Sequence, residues 1–360
     1  MQFEQAKRTI GFVSGLLTCL GIFYIASASS YWSAVHYPNS LPFWIKQSIF
    51  AVLAIVLFKV VQLIKLDYRT VVFLYFAGLL VALTVWLPGL SVVRNGARGW
   101  ITLAGFYFQP AELTKVTTLL FLSHLLSFKT PLIKQLIVLG IPSTLFMLQP
   151  DFGSTFLLVA TYCALLFVTG LSMRLILLGI VSAVLGLVAL IATAPYRLKR
   201  ITAFLDPWED PLGAGFQAIQ SLLAIGPAGF TGWGFGNSRQ KLLYLPEPQN
   251  DFIFSLIIEE SGWLMAACIC FCYVLWGRSA YTLASYHLQT VYGIQIAALA
   301  LLLLIQTSVN LGVVTGLLPV TGVTLPFISY GGSSLVSCWV VTGLIIAIYK
   351  QGREAEEWKN

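Results

Sequence analysis

The feature that most constrains this chain is a succession of long apolar runs that continues almost from one end to the other. Of its 360 residues, 58% are hydrophobic and only 10% are charged, a balance that excludes an ordinary water-soluble globular protein. Backbone polar groups inside a bilayer must be paired within the chain, which allows only helices or closed barrels. Because the apolar runs are continuous, the sequence predicts an all-α membrane protein.

The apolar runs also give a count of the membrane spans, since a transmembrane helix needs about 20 apolar residues. By that measure there are about ten spans, at residues 9–29, 44–64, 70–88, 111–128, 132–148, 153–169, 173–194, 251–276, 289–314 and 332–350. An even number of spans puts both termini on the same side. With the termini in the cytoplasm, lysine and arginine are distributed as the positive-inside rule requires. We therefore expect one polytopic membrane domain, 1–360.

One segment, 195–250, is too polar to cross the membrane and lies between the seventh and eighth spans. In the orientation above it forms a large extracytoplasmic loop. Its tryptophans and apolar stretches such as 218–225 predict an ordered segment with short helices that lie against the membrane. A second loop on the same face, about 88–110, precedes the fourth span.

The composition argues against a nucleic-acid partner and against a disulfide or metal site formed by cysteines. The net charge of +7 would suggest nucleic acid in a soluble protein, but no basic stripe with interleaved aromatic residues is present, so we expect no nucleic-acid partner. All six cysteines lie in apolar runs, and their spacing favours neither a disulfide nor a metal site. The first apolar run lacks a cleavage site of small residues and is interpreted as a retained span.

Charged residues close to the predicted outer face are the most informative, because ionisable groups in a membrane are costly unless they are paired or functional. Glu112 and Lys115 are three residues apart at the start of the fourth span, so they share one helix face and can pair. A helix-stabilising ion pair and a functional role both fit this spacing.

Asp251 begins the eighth span directly after the irregular stretch 246–250. Its carboxylate could cap the helix by accepting backbone N–H groups. It could also be a general base at the boundary between water and lipid, its pKa raised by the apolar neighbours Phe252 and Phe254. The two roles can coexist.

Cations also gather on the predicted outer face. Fixed positive charges among carboxylates suit an anionic diphosphate or lipid headgroup; attraction to anionic lipids and structural pairing with loop acids are the alternatives. The cations are Lys46, Arg94, Arg98, Lys115, Arg197, Lys199, Arg200, Arg239 and Lys241.

Glycines and prolines interrupt the chain between the ninth and tenth spans, from Leu317 to Gly332. Interrupted helices at a membrane boundary often line a cavity. Gln306 and Asn310 could face such a cavity, or could make a plain interhelical contact.

Three sets of strings on the predicted outer face belong together: NGARGW (95–100) with QPAELTK (109–115), GNSRQK (236–241) with LPE (245–247) and DFIF (251–254), and LPVTG (318–322) with PFISYGGSS (326–334). They closely resemble the shape, elongation, division and sporulation (SEDS) family, which includes FtsW, RodA and SpoVE. The strings QPDFG (149–153) and FLDPW (204–208) extend the resemblance to nearly the whole chain. Departures occur at Gly99, where many members have a basic residue, and at Asn250, where Thr is common.

The resemblance implies a peptidoglycan glycosyltransferase that polymerises lipid II on the outer leaflet of the bacterial cytoplasmic membrane. It implies that Asp251 is the catalytic base of an inverting reaction, and that Glu112 orients Lys115. The residues that it implies for contacts with the substrate are Arg98, Glu112, Lys115, Asp151, Arg200, Lys241, Glu247 and Ser333. A divalent cation, Mg²⁺ or Mn²⁺, could share the stabilisation of the leaving group, although no ligand set demands one.

The resemblance also implies partners. A class B penicillin-binding protein would supply the transpeptidase, and divisome proteins and membrane lipids would surround the pair. The stretch from Gly236 to Lys241 resembles the FtsW and SpoVE branch more than RodA, which favours septal over lateral wall synthesis. A lipid II flippase and a scaffold without chemistry of its own are the competing interpretations.

Overall fold

The computed structural model describes residues 2–38, 40–94, 97–103, 106–170, 203–242, 244–287 and 289–357. Helices dominate it. They are α1 Gln2–Ala28, α2 Ser30–His36, α3 Phe43–Val61, α4 Tyr68–Leu83, α5 Pro110–Ser127, α6 Leu132–Leu148, α7 Phe152–Val168, α8 Phe216–Ile225, α9 Ile253–Tyr286, α10 Val291–Val314 and α11 Gly332–Glu357.

Nine of the ten predicted spans coincide with one of these helices, and the span at 173–194 lies outside the described residues. In the part of the chain that the structure describes, six helical stretches are long and apolar enough to cross a membrane: Gln2–Ala28, Phe43–Val61, Tyr68–Trp86, Ile253–Tyr286, Val291–Val314 and Gly332–Glu357. Helices α6 and α7 are apolar but have only 17 residues each, and α5 has 18 and carries charged residues. The prediction of an all-α membrane protein is confirmed.

Helix α11 lies at the centre of the bundle, since the whole of its apolar stretch is buried, whereas only 22% of that of α3 is. Helix α11 packs against α3 and α10, and α1 packs against α9. The exposed apolar side chains of α3 and α4 suit contact with lipid tails, which are as apolar as the side chains themselves.

The two ends of the bundle differ in what they hold. At one end, which we call the terminal end, Glu4 near the start of α1 lies 3.9 Å from Arg353 near the end of α11. The opposite end, which we call the loop end, includes Ser27 at the end of α1 and the first residues of α5, α7 and α9. Both chain termini therefore lie at the same end, as an even number of spans requires.

A small antiparallel sheet joins α4 to α5 at the loop end. Its strands are β1 Ser91–Arg94, β2 Ala97–Leu103 and β3 Phe106–Phe108. Ser91 pairs with Ile101, and Ile101 also pairs with Phe108. The sequence analysis treats this stretch only as a loop. Asn-Gly at 95–96, between short apolar stretches, is the hairpin signal that would have predicted the first two strands.

Helix α9 is broken at Gly262, where the backbone has φ 73° and ψ −178°. A Cβ at this glycine would lie 2.2 Å from the carbonyl oxygen of Phe230, so only glycine fits. The backbone N–H groups of Trp233 and Gly234 donate to the carbonyls of Glu259 and Glu260, at 2.9 Å each. The predicted span at 251–276 therefore contains a break at Gly262, where a loop supplies the hydrogen bonds that the helix loses.

The segment between α7 and α9 contains the predicted short helices. A 3-10 helix spans Pro207–Glu209, and α8 spans Phe216–Ile225. Helix α8 buries one face that includes Ile219 and Ala224. Ser221 on that face donates a 2.8 Å hydrogen bond to the carbonyl of Val314, at the end of α10. The described part of the segment is therefore packed on the bundle.

Candidate active site

Asp251 lies at the loop end, two residues before α9 begins. The N-cap of α9 is Phe252 and no side chain caps the helix, so Asp251 does not act as the helix cap. The side chain is partly buried next to the fully buried Phe252 and Phe254. Among the described residues, its carboxylate makes neither a hydrogen bond nor an ion pair.

The surroundings of Asp251 alter its acidity. Burial, together with the negative charge of Glu247, raises the pKa of Asp251 to about 6. A carboxylate with a pKa close to the working pH is well suited to accept a proton, because it is ionised yet basic. The raised pKa that the sequence analysis expects from the apolar neighbours is therefore confirmed.

The backbone before Asp251 is fixed by the loop that joins α10 to α11. The carbonyl of Gln249 accepts a 2.8 Å hydrogen bond from the N–H of Tyr330. The carbonyl of Asn250 accepts one of 2.7 Å from the hydroxyl of Ser329. These bonds hold a non-helical stretch in one conformation, as the backbone of a site on an irregular segment requires.

The same loop connects Asp251 to the beginning of α7. A Cβ at Gly322 would lie 3.6 Å from Oδ2 of Asp251, and a Cβ at Gly153 would lie 2.9 Å from the carbonyl oxygen of Thr321. The backbone at 321–322 thus lies between the start of α7 and the carboxylate of Asp251.

Asp151 and Ser333, both predicted to contact the substrate, are joined through Gln109. The Nε2 of Gln109 donates to Oδ2 of Asp151 at 3.0 Å, and its backbone N–H donates to Oγ of Ser333 at 2.9 Å. Asp151 also caps α7, accepting from the backbone N–H of Ser154 at 2.9 Å. Asp151 thus acts as a structural N-cap that also accepts from Gln109, and a contact with substrate stays a prediction.

Glu112 and Lys115, both on α5, form a buried ion pair. The Nζ of Lys115 lies 2.9 Å from Oε1 of Glu112, and only 1% of the lysine side chain is exposed. The hydroxyl of Ser337 on α11 donates to the backbone carbonyl of Glu112 at 3.3 Å. The predicted pairing is confirmed, and a contact between Lys115 and substrate stays a prediction.

Lys241 is engaged in a second buried pair. Its Nζ lies 3.6 Å from Oε1 of Glu260 and also donates to the carbonyl of Gly236. The hydroxyl of Ser27 on α1 donates to the same Glu260 oxygen at 2.6 Å. This cluster ties the broken helix α9 to α1, and the sequence analysis did not foresee it because Glu260 was not among the candidate residues.

The remaining candidates occupy different positions. Arg98 has an exposed side chain, and its backbone N–H donates to the carbonyl of Gln149 at 3.1 Å. Glu247 accepts a 2.5 Å hydrogen bond from Nδ2 of Asn250. Arg200 lies outside the described residues. The structure therefore brings Glu247 close to Asp251 but holds Lys115 and Lys241 in ion pairs of their own.

The predicted divalent cation has no ready set of protein ligands. Within the described ranges, no group of three or more His, Cys, Asp or Glu side chains could hold a metal ion. A cation at this site stays a prediction.

Comparisons with known proteins agree with this architecture. A family model described as cell cycle protein, FtsW/RodA/SpoVE, matches residues 7–354. Stage V sporulation protein E of Bacillus subtilis (strain 168) is 39% identical over 356 residues, which cover 94% of this chain and 95% of that protein. A probable peptidoglycan glycosyltransferase FtsW of Geobacter sp. (strain M18) is 36% identical, with 94% and 95% covered.

Solved structures share the fold. One solved structure describes the structural coordination of polymerization and crosslinking by a peptidoglycan synthase complex. A chain of that complex superposes on this one with a TM-score of 0.78 at 30% identity, and the match covers 95% of this chain and 97% of that one. The rod shape determining protein RodA of Thermus thermophilus gives a TM-score of 0.70 at 25% identity, with 95% and 96% covered. Since the family model and the relatives both extend over nearly the whole length, this chain belongs to the FtsW/RodA/SpoVE family of cell cycle proteins.

Proposed function

We propose that this protein is a peptidoglycan glycosyltransferase that polymerises lipid II, with Asp251 as its catalytic base. The observation that carries the proposal is a carboxylate whose backbone is fixed and whose pKa is raised to about 6. Among the described residues, no cation pairs with that carboxylate. The FtsW relatives are named as probable peptidoglycan glycosyltransferases, which supports the same reaction class.

The reaction is a single displacement at an anomeric carbon. A sugar hydroxyl of the acceptor substrate attacks the anomeric carbon of the donor substrate, and the bond from that carbon to the lipid diphosphate breaks. The carboxylate of Asp251 accepts the hydroxyl proton. The α-linked donor and β-linked product require inversion, which one displacement achieves without a covalent sugar intermediate. Positive charge must compensate the departing diphosphate.

The cations differ in their suitability for that task. Lys115 and Lys241 already compensate Glu112 and Glu260, whereas the side chain of Arg98 is exposed. We assign the diphosphate contact first to Arg98 and second to Arg200, which lies outside the described residues. Further contacts with the substrate would come from Lys115, Lys241, Asp151, Glu247 and Ser333. Mg²⁺ or Mn²⁺ would supply further charge compensation for the diphosphate.

The cellular setting follows from the same proposal. The loop end faces the outside of the bacterial cytoplasmic membrane, the terminal end faces the cytoplasm, and 195–250 is an extracytoplasmic loop of one domain that spans 1–360. A class B penicillin-binding protein is the transpeptidase partner, and divisome proteins recruit the pair to the septum. The similarity to FtsW and SpoVE supports septal over lateral synthesis.

The test uses the full chain, purified with and without the cognate class B penicillin-binding protein, and labelled lipid II in detergent. We expect glycan polymer from the wild type and none from Asp251→Ala. Equal polymer from a folded Asp251→Ala variant would show that Asp251 is not the base.

A flippase is the second candidate, because a transmembrane helix broken at Gly262 and buried charges in the bundle are also features of transporters. Reconstitution in vesicles separates the two functions. Movement of labelled lipid II between leaflets without polymer would favour the flippase. If neither movement nor polymer is detected, the interpretation as a scaffold without chemistry of its own is favoured.

A further inference from the structure

We infer that Asn310, on α10, is the positioning residue that holds Asp251 in its reactive location. The inference rests on the proposed function. Asn310 is fully buried. Its Nδ2 donates two hydrogen bonds of 2.7 Å each, one to the backbone carbonyl of Asp251 and one to the backbone carbonyl of Val323.

The orientation of this amide is fixed by its neighbours. Both groups that face Nδ2 are carbonyl oxygens, which only accept hydrogen bonds, so a flipped amide would set its oxygen against two acceptors. The Oδ1 atom is buried and has no hydrogen-bond partner in the described part of the chain. A buried acceptor without a donor is unfavourable for folding, so stability alone does not account for an asparagine here.

Asn310 completes a row of three bonds along the segment that carries the base. The carbonyls of Gln249 and Asn250 accept from the loop between α10 and α11, and the carbonyl of Asp251 accepts from α10 itself. Asn310 therefore ties the backbone of the base to a membrane helix.

The second bond of Asn310 reaches the backbone that covers the carboxylate. Val323 follows Gly322, where a Cβ would lie 3.6 Å from Oδ2 of Asp251. One amide thus sets both the backbone of the base and the loop over its side chain. A displacement of about 1 Å at a reacting group can cost about a hundredfold in rate, so this geometry bears directly on catalysis.

Gln306 is a matched control on the same helix, four residues earlier. It is also buried, and its Nε2 donates to the carbonyl and to the hydroxyl oxygen of Thr324, at 3.1 and 3.3 Å. Both amides therefore link α10 to the following loop, but only Asn310 contacts Asp251.

The experiment compares Asn310→Leu with Gln306→Met in steady-state polymerisation of lipid II as a function of pH. We expect Asn310→Leu to lower kcat by about tenfold to a hundredfold and to change KM by less than about twofold, because binding groups are untouched. The acid limb of the pH–rate profile of Asn310→Leu should move to lower pH. The reason is that a released Asp251 side chain gains contact with water, so its pKa falls back from about 6. Glu247, the charged group that acts on Asp251, is present in both variants.

Hydrogen exchange of the peptide around 249–258 supplies a readout that does not need activity. Exchange should accelerate in Asn310→Leu and stay at the wild-type rate in Gln306→Met. Should Asn310→Leu fail to fold, Asn310→Gln keeps both N–H donors on a longer side chain and should give an intermediate loss of kcat with KM unchanged.

The outcomes separate this inference from the function on which it rests. If wild type and a folded Asp251→Ala polymerise lipid II equally, the proposed function fails and Asn310 has no base to position. If Asp251 is required but Asn310→Leu matches Gln306→Met in kcat, acid limb and exchange, only the role of Asn310 is overturned.

Discussion

Asp251 and Glu260 are nine residues apart in the chain, but the groups that surround the two carboxylates differ. The backbone of Asp251 is held by neutral donors, while its carboxylate is left without a cation among the described residues. The carboxylate of Glu260 is completely buried, bonded to Ser27 and 3.6 Å from the ammonium of Lys241.

Under the proposed function, this difference separates a reactive acid, Asp251, from a structural one, Glu260. A buried carboxylate that a cation compensates costs stability when the cation is removed. A carboxylate that is fixed through its backbone but left uncompensated keeps a raised pKa and can exchange a proton. Glu112, paired with Lys115 at 2.9 Å, belongs with Glu260.

Removal of one partner from a structural pair should have the largest effect on stability. Lys241→Met leaves the carboxylate of Glu260 buried without its cation, and we expect a loss of about 3–5 kcal/mol in the free energy of unfolding. Unfolding by denaturant in detergent measures it. The double variant Lys241→Met/Glu260→Gln should recover much of the loss because no uncompensated charge remains. Lost polymerisation at unchanged stability would instead make Lys241 a substrate contact.

The comparison also predicts a pH dependence for the reactive acid. A base must be ionised, so the polymerisation rate should be half-maximal near pH 6, the pKa of Asp251, and fall about tenfold per pH unit below it. Glu247→Gln removes a negative charge that raises this pKa, so its acid limb should lie at lower pH. Rates between pH 4.5 and 8, with protein stability followed in parallel, test both statements; an acid limb at the same pH in Glu247→Gln would contradict the second.

Asp151 should show a small effect of the structural kind. It caps α7 through the N–H of Ser154, so Asp151→Ala should cost about 1 kcal/mol of stability. Asp151→Asn keeps a capping oxygen and should cost less. A many-fold rise in KM for lipid II in the asparagine variant, with stability unchanged, would show that Asp151 contacts the substrate and is not only a structural cap.

Hydrophobicity predicted most of the bundle because long apolar runs in a bilayer have few alternatives to helices. It could not predict the break at Gly262, since the hydrogen bonds that replace the helix come from the distant loop residues Trp233 and Gly234. The small sheet was missed for a different reason: the span count ignored the Asn-Gly turn signal at 95–96.

The site was predicted unevenly for a related reason. The sequence identified Asp251 but left two roles open, which the position of Phe252 as N-cap now separates. The pair of Glu112 and Lys115 was predictable because the residues share a helix face. The pair of Lys241 and Glu260 was not, since it forms only when the loop closes on the broken helix.

The most direct test of the central claim is the polymerisation rate of Asp251→Asn, which keeps the side-chain shape and the backbone carbonyl that Asn310 holds. The account predicts at least about a hundredfold loss of polymer formation, the contribution expected of a general base. Binding of lipid II should be unchanged within about twofold. A folded Asp251→Asn variant that binds lipid II and polymerises it at the wild-type rate would contradict the claim.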